Sequence, residues 1–294
     1  MRLLAILWIL LVGAPLATAA DGKSHELSPK ATILWQNDWF AISNSMVVTW
    51  TVAALLILVT QVAMSRNHAV PTGLQNFWEW LIEELHLFLE GLLGAHLIKG
   101  TFWFFASLFL FILFTNWFGL VPGVGTVGWG VVENGHFHLT EPLMRGGNAD
   151  LNMTSAMALL FFALWLFWSL RALGVGGFLA HIFGGQGGTG AMRVFFVAIF
   201  FFVGLIEVIS IAFRPVSLSF RLYGNVFAGE NILESMLQHP WLGWLLPLPF
   251  YFLELLVGLV QALVFTLLTA VFTSLMVGQG HPAEGEGAGA HAKH

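Results

Sequence analysis

Apolar and polar positions divide the chain into runs of different kinds. Residues 44–64 (NSMVVTWTVAALLILVTQVAM) are apolar almost throughout and long enough for one bilayer crossing, with Arg66 just beyond. From Pro71 the pattern becomes periodic. Leu74, Phe77, Trp78, Leu81, Ile82, Leu85 and Phe88 recur at helical spacing, with Glu79, Glu83, Glu84 and Glu90 between them. That spacing predicts an amphipathic helix lying in the membrane interface. A second span is expected over roughly 102–121, ending at NWFGLVPG, where Pro122 and Gly123 break it. A glycine-rich polar loop runs from there to Asp150. The third span covers about 151–170, with Asn152 and Thr154 near its start and Arg171 at its end, and a second glycine-rich loop leads to Arg193.

Residues 194–237 have only Pro215 and scattered glycines as breakers. As one helix they would extend roughly 66 Å at about 1.5 Å per residue, against a hydrocarbon core about 30 Å thick. Residues 247–277 follow the turn HPWLGWLLPLP and are also long for a perpendicular crossing. Two long, strongly tilted helices in a hairpin satisfy both lengths, provided that a partner surface holds the tilt. The expected fold is therefore an all-α integral membrane protein, with about five membrane helices plus one interfacial amphipathic helix.

Composition agrees: 57% of the 294 residues are hydrophobic and 9% charged, where a soluble domain has about 25% charged. The net charge of -5 forms no basic face, so nucleic acid is not an expected partner. The absence of cysteine excludes disulfides, thiolate metal sites and cysteine nucleophiles. The N-terminus, MRLLAILWILLVGAPLATAADGKS, has a positive start, an apolar run and an A-x-A close at Ala17-Thr18-Ala19, as a secretory signal does, with cleavage expected near Ala19 or Ala20. An uncleaved first membrane helix is the competing reading. Cleavage leaves the mature N-terminus outside. The loops then place Arg66, Lys99, Arg171, Arg193 and Lys293 inside, and Lys23, Lys30 and Arg145 outside, in the sense of the positive-inside rule. The expected division is 1–20 signal segment, 21–43 outer segment, 44–277 membrane domain and 278–294 a small, polar, disordered cytoplasmic tail.

Against this background the intramembrane polar residues stand out: Glu207, Arg214, Arg221, Asn225, Glu230, Glu254 and Gln261. A charge at the bilayer centre costs about 2.5 kcal/mol or more and marks a pathway by default. At about 100° per residue, Arg214, Arg221 and Asn225 share one helical face, and Glu207 lies close to it. Glu230 points nearly opposite, so Arg221 and Glu230 cannot pair within one helix. The expected topology puts Glu207 nearer the inner surface, Arg221 and Gln261 at mid-depth, and Glu230 and Glu254 toward the outer side. Two polar entrances separated by a fixed positive charge would act as two half-channels with a barrier. Structural alternatives remain for each: an internal salt bridge or interfacial reach for Arg214 and Glu234, an ion pair for Arg221, and interhelical hydrogen bonds for Asn225 and Gln261. His68, His86, His96, His281, His291 and His294 fall in the interfacial stretch or the tail, where solvation rather than metal ligation is expected.

The stretch RPVSLSFRLYGNVFAGENIL resembles the signature of subunit a of F-type ATP synthases, close to P-V-S-x-x-x-R-L-x-G-N-x-x-A-G-E, through Pro215, Val216, Ser217, Arg221, Leu222, Gly224, Asn225, Ala228, Gly229 and Glu230. ELLVGLVQALVF, LQNFWEWLIE, NWFGLVPG and DLNMTSAMAL extend the resemblance over roughly 44–277. It implies a stator subunit beside a rotating ring of c subunits, with b-type peripheral stalk subunits and the remaining ATP synthase complex as partners. The signal-like N-terminus favours a bacterial plasma (inner) membrane over a mitochondrion, and no cofactor or metal is expected. The resemblance further implies that Arg221 is the essential arginine that meets each deprotonated ring carboxylate and blocks direct leakage. Glu230 and Glu254 would line the outer half-channel, Glu207 and Ser210 the inner one, and Asn225 and Gln261 would flank the arginine. Some relatives have histidine where this chain has Glu254. H⁺ is the expected coupling ion rather than Na⁺. The chain has no G-x-x-x-x-G-K-[ST] loop, so ATP is not made on it. The alternatives are a stand-alone ion channel or transporter, for which inverted repeats are expected and not seen, and an intramembrane enzyme, for which neither G-x-S-x-G nor a histidine within the spans is present.

Overall fold

The computed structural model describes residues 31–37, 41–65, 70–121, 124, 127–133, 136–184, 191–237, 239, 241–243 and 245–277. The signal-like segment 1–20, Arg66, His68 and the tail 278–294 lie outside the described residues. Five helices among those described are long and apolar enough to cross a membrane.

A short antiparallel pair, β1 (Ile33–Gln36) and β2 (Ala41–Ser43), leads into α1 (Asn44–Met64). Ser43 caps α1 by accepting a hydrogen bond from the Met46 amide at 3.4 Å. The buried positions of α1 are Asn44, Ser45, Val48, Thr49 and Val52 at helical spacing, and Ala63 near its end. Its other side exposes Ile57, Leu58 and Val62, as a lipid-facing helix does.

The expected interfacial helix and second span are continuous in α2 (Leu74–Gly119), a 46-residue helix interrupted only at Gly94. Gly94 has φ 79° and ψ 156°, a region essentially reserved for glycine. The junction turns there without a loop. Before it, Trp78, Leu85, Leu89 and Leu93 form the buried stripe and Glu83 and Glu84 are exposed. After it, Ile98, Phe104, Phe105, Leu108 and Ile112 enter the core.

The segment 124–150 is not simply a loop. It holds an antiparallel hairpin, β3 (Gly128–Glu133) with β4 (His136–Pro142), and a 3-10 turn at Gly147–Ala149. Asp150 then caps α3 (Leu151–Phe183), accepting from the Asn152 amide at 3.0 Å. This helix continues well past residue 170, where a glycine-rich loop was expected. Only Gly174 leaves helical geometry, with φ 68° and ψ 165°. The last turns are held by tertiary contact: Ile182 joins the core, and Phe183 stacks on Phe201 at 6.0 Å between ring centroids.

The two long helices fall where the pattern puts them, α4 at Ala191–Leu237 and α5 at Pro247–Val277. α5 packs most extensively against α2, and α4 against α3. Gly258, Ala262, Thr266, Thr269, Ala270 and Thr273 make a buried small-residue stripe on α5, which lets helix backbones approach closely. Three side chains pin this packing to α5 carbonyls: Asn116 Nδ2 to Gly258 O at 3.0 Å, Trp117 Nε1 to Leu255 O at 3.0 Å, and Trp165 Nε1 to Phe272 O at 3.1 Å.

Candidate functional site

α4 has two faces. Ile211, Pro215, Leu218, Leu222, Gly229 and Leu233 are buried against the other helices. On the opposite side Ser210, Ser217, Arg221, Asn225, Ala228 and Ile232 recur every three, four or seven residues and are exposed. No other described element of the chain covers this second stripe.

Besides Arg193 in its first turn, three arginines lie on or against α4, and their surroundings differ. Arg145, just before the 3-10 turn, is buried, with its Nε 3.9 Å from Glu230 Oε2 and its guanidinium 5.8 Å from the centre of the Phe227 ring. Arg214 donates to Glu207 at 3.1 Å. Arg221 is exposed, and no described residue pairs with it or accepts its hydrogen bonds. A guanidinium stays protonated in proteins. On a helix that also exposes Phe213, Val216 and Phe220, this fixed charge has no compensating anion among the described residues.

The carboxylates Glu230 and Glu254 are brought together. Both line a cavity of about 20 Å³ with Asn116, Gly119, Gly258 and Gln261, room for about one water molecule. Glu254 also lines a wider groove of about 390 Å³ with Asn225, Ala228, Gly229 and Gln261. It therefore stands between the largely enclosed Glu230, 15% exposed, and the exposed Asn225 stripe. Missing side chains create this geometry. A Cβ on Gly146 would overlap the Glu230 carboxyl, and one on Gly229 would overlap the Glu254 carboxyl. The arrangement is a short series of groups that can accept or donate a proton, running from the interior of the bundle to the uncovered face of α4.

Beyond Glu230 the polar groups continue into the bundle. Asn148 Nδ2 donates to Asn116 Oδ1 at 2.7 Å, and Ser45 Oγ to Asp150 Oδ2 at 2.5 Å. Asn44, Thr49, Thr115 and Thr154 are buried alongside.

Of the residues singled out in the sequence, Asn225, Glu230, Glu254 and Gln261 thus gather around two adjoining cavities. Glu207 and Ser210 lie apart, since Glu207 and Glu230 are about 34 Å apart along the helix axis at about 1.5 Å per residue. Arg145, Asn116 and Asn148 belong to the constellation and were not singled out. Arg145 counted only as a loop charge. The available signal was its isolation as the one arginine or lysine between 124 and 150, next to Gly-Gly-Asn-Ala-Asp.

Residues 46–274 match the family model described as ATP synthase A chain. Among curated relatives, ATP synthase subunit a of Protochlamydia amoebophila is 34% identical, covering 82% of this chain and 80% of its own. That of Solidesulfovibrio magneticus is 31% identical, covering 83% and 90%. That of Gloeobacter violaceus is 29% identical, covering 88% and 91%. The chain is a multi-pass membrane protein of the ATP synthase complex and non-catalytic on its own. It belongs to the subunit a family, the proton-translocating stator subunit of F-type ATP synthases.

Proposed function

We propose that Arg221 is the stator charge of this subunit, set between two proton half-channels and facing a ring of c subunits across the uncovered stripe of α4. The observation that carries this reading is the unpartnered, exposed guanidinium among apolar side chains. A charge so placed in a membrane needs a partner, and a ring carboxylate arriving from outside the chain supplies one. The guanidinium lowers the proton affinity of that carboxylate and so favours release of its proton. Being unable to deprotonate, it cannot relay protons and separates the two routes.

On this reading the outer half-channel runs by Glu230 and Glu254 to the groove at Asn225 and Gln261. Their shared cavities support it. The inner half-channel is open at Glu207 and Ser210, at the other end of the same helix. α4 and α5 lie strongly tilted along the curved ring, a reading that the 47-residue length of α4 supports. The b-type stalk subunits bind elsewhere on the surface. The coupling ion is H⁺, and the setting is a bacterial plasma membrane with residues 1–20 as signal segment, N-terminus outside and tail 278–294 inside.

The chain has no cysteine, so single introduced thiols give a clean test. Cysteines at Ala228 and Ile232 are expected to cross-link to a c subunit carrying a thiol on its outer helix, and cysteines at Leu222 and Leu233 are not. Cross-linking from the buried positions alone would place the ring elsewhere and reject the reading.

A further inference from the structure

We infer that Arg214 is a positioning residue for Glu207. It fixes that carboxylate at the inner end of the ring-facing side of α4 and, being neutralised by it, leaves Arg221 as the uncompensated guanidinium there among the described side chains. The inference deepens the proposed function and rests on it. Its observations are separate. Arg214 Nη2 lies 3.1 Å from Glu207 Oε1 across seven residues, so both side chains bend toward each other along the helix rather than outward. Two rings from two other helices face the guanidinium: Phe272 of α5 at 4.5 Å and Trp165 of α3 at 5.6 Å, measured to the ring centres. The same two residues are joined by the bond from Trp165 Nε1 to the Phe272 carbonyl. Electron-rich ring faces hold a guanidinium without neutralising it. Glu207 is the anion that does so.

The pair leaves Glu207 partly accessible, at 44% side-chain exposure against 19% for Arg214. Only Oε1 is engaged by the cation, so the carboxylate is oriented without being enclosed. The need for neutralisation follows from spacing. Arg214 is seven residues from Arg221, about 10.5 Å along the axis and close to the same face. Two free guanidiniums at that separation would offer a passing ring carboxylate two stopping places.

The test measures initial ATP-driven proton pumping in inverted vesicles of the assembled complex, with ring co-purification checked for each variant. Arg214→Met keeps the bulk and removes the charge. It is expected to lower pumping by about threefold or more, while Arg214→Lys recovers the greater part of it. Glu207→Gln combined with Arg214→Met is expected to be no worse than the poorer single change. Pumping by Arg214→Met at the wild-type rate, or equal loss in the Met and Lys variants, overturns the inference, as do multiplicative losses in the double variant. If Arg214→Met fails to retain the ring, Phe272→Leu takes its place. It keeps both charges and removes the nearer ring, and undiminished pumping by it overturns the inference. Arg221→Ala serves as the control. Normal pumping there sinks the underlying reading, whereas its loss beside an indifferent Arg214 sinks only this inference.

Discussion

At the residue scale, glycines decide where the carboxylates sit. The Glu254 carboxyl occupies the space that a side chain on Gly229 would fill. That carboxyl is the free end of a flexible chain, so Gly229→Ala is expected to displace it rather than unfold the protein. Assembly should persist while ATP-driven pumping falls by about tenfold, the scale set by an ångström-size misplacement of a reacting group. Normal pumping in the alanine variant would remove Glu254 from the proton path. The Arg145–Glu230 pair is different, because Arg145 is buried and Glu230 is only 15% exposed. Arg145→Met leaves a carboxylate without its cation, at a cost of about 3 kcal/mol, the lower end for breaking a buried pair. The amount of assembled subunit in membranes should drop accordingly. Adding Glu230→Gln should restore assembly but not pumping. Recovery of both would make Glu230 a structural residue only.

At the element scale, the two interruptions at Gly94 and Gly174 have backbone conformations that side chains disfavour. Neither would meet another atom within 4 Å on gaining a Cβ, so any penalty is backbone strain. Gly94→Ala is expected to cost about 1–3 kcal/mol and to reduce assembled complex. Gly91→Ala, in regular helix with equally open space, should not. Equal yields of the two would show that the turn at Gly94 is dispensable. The same elements show what could be read from the chain alone. The bounds of α1 and α5 follow directly from apolar runs at 44–64 and 247–277. The continuation of α3 was not legible, because Gly174, Gly176 and Gly177 read as breakers, while the contacts of Ile182 and Phe183 with distant residues keep the helix going. The hairpin of β3 and β4 was hidden for a related reason, since glycine-rich polar segments carry little hydrophobic periodicity. Arg221, Asn225, Glu230, Glu254 and Gln261 stood out because polar groups are costly in apolar helices. Arg145 and Asn148 lie outside the apolar runs and gain their meaning only when the turn folds against Glu230.

At the scale of the whole molecule, two surfaces of the bundle are apolar and exposed for different reasons. α1 presents Ile57, Leu58 and Val62 to lipid with no charged group among them; the exposed polar residues there are Gln61 and Thr60, whose hydroxyl donates to the Leu56 carbonyl. The uncovered side of α4 presents Ser210, Ser217, Arg221 and Asn225 among its apolar residues, a mixture that lipid does not satisfy. Two adjoining cavities join this side to the partly buried carboxylates Glu254 and Glu230. On the proposed reading the molecule is half of a mechanism, with its proton route ending at a face that a ring of c subunits completes. The most direct test compares wild type with Arg221→Ala for ATP-driven pumping and passive proton leak in inverted vesicles, with ring co-purification as the assembly check. The account predicts a retained ring, abolished pumping and a raised passive leak. Coupled pumping at the normal rate with the ring in place would contradict it.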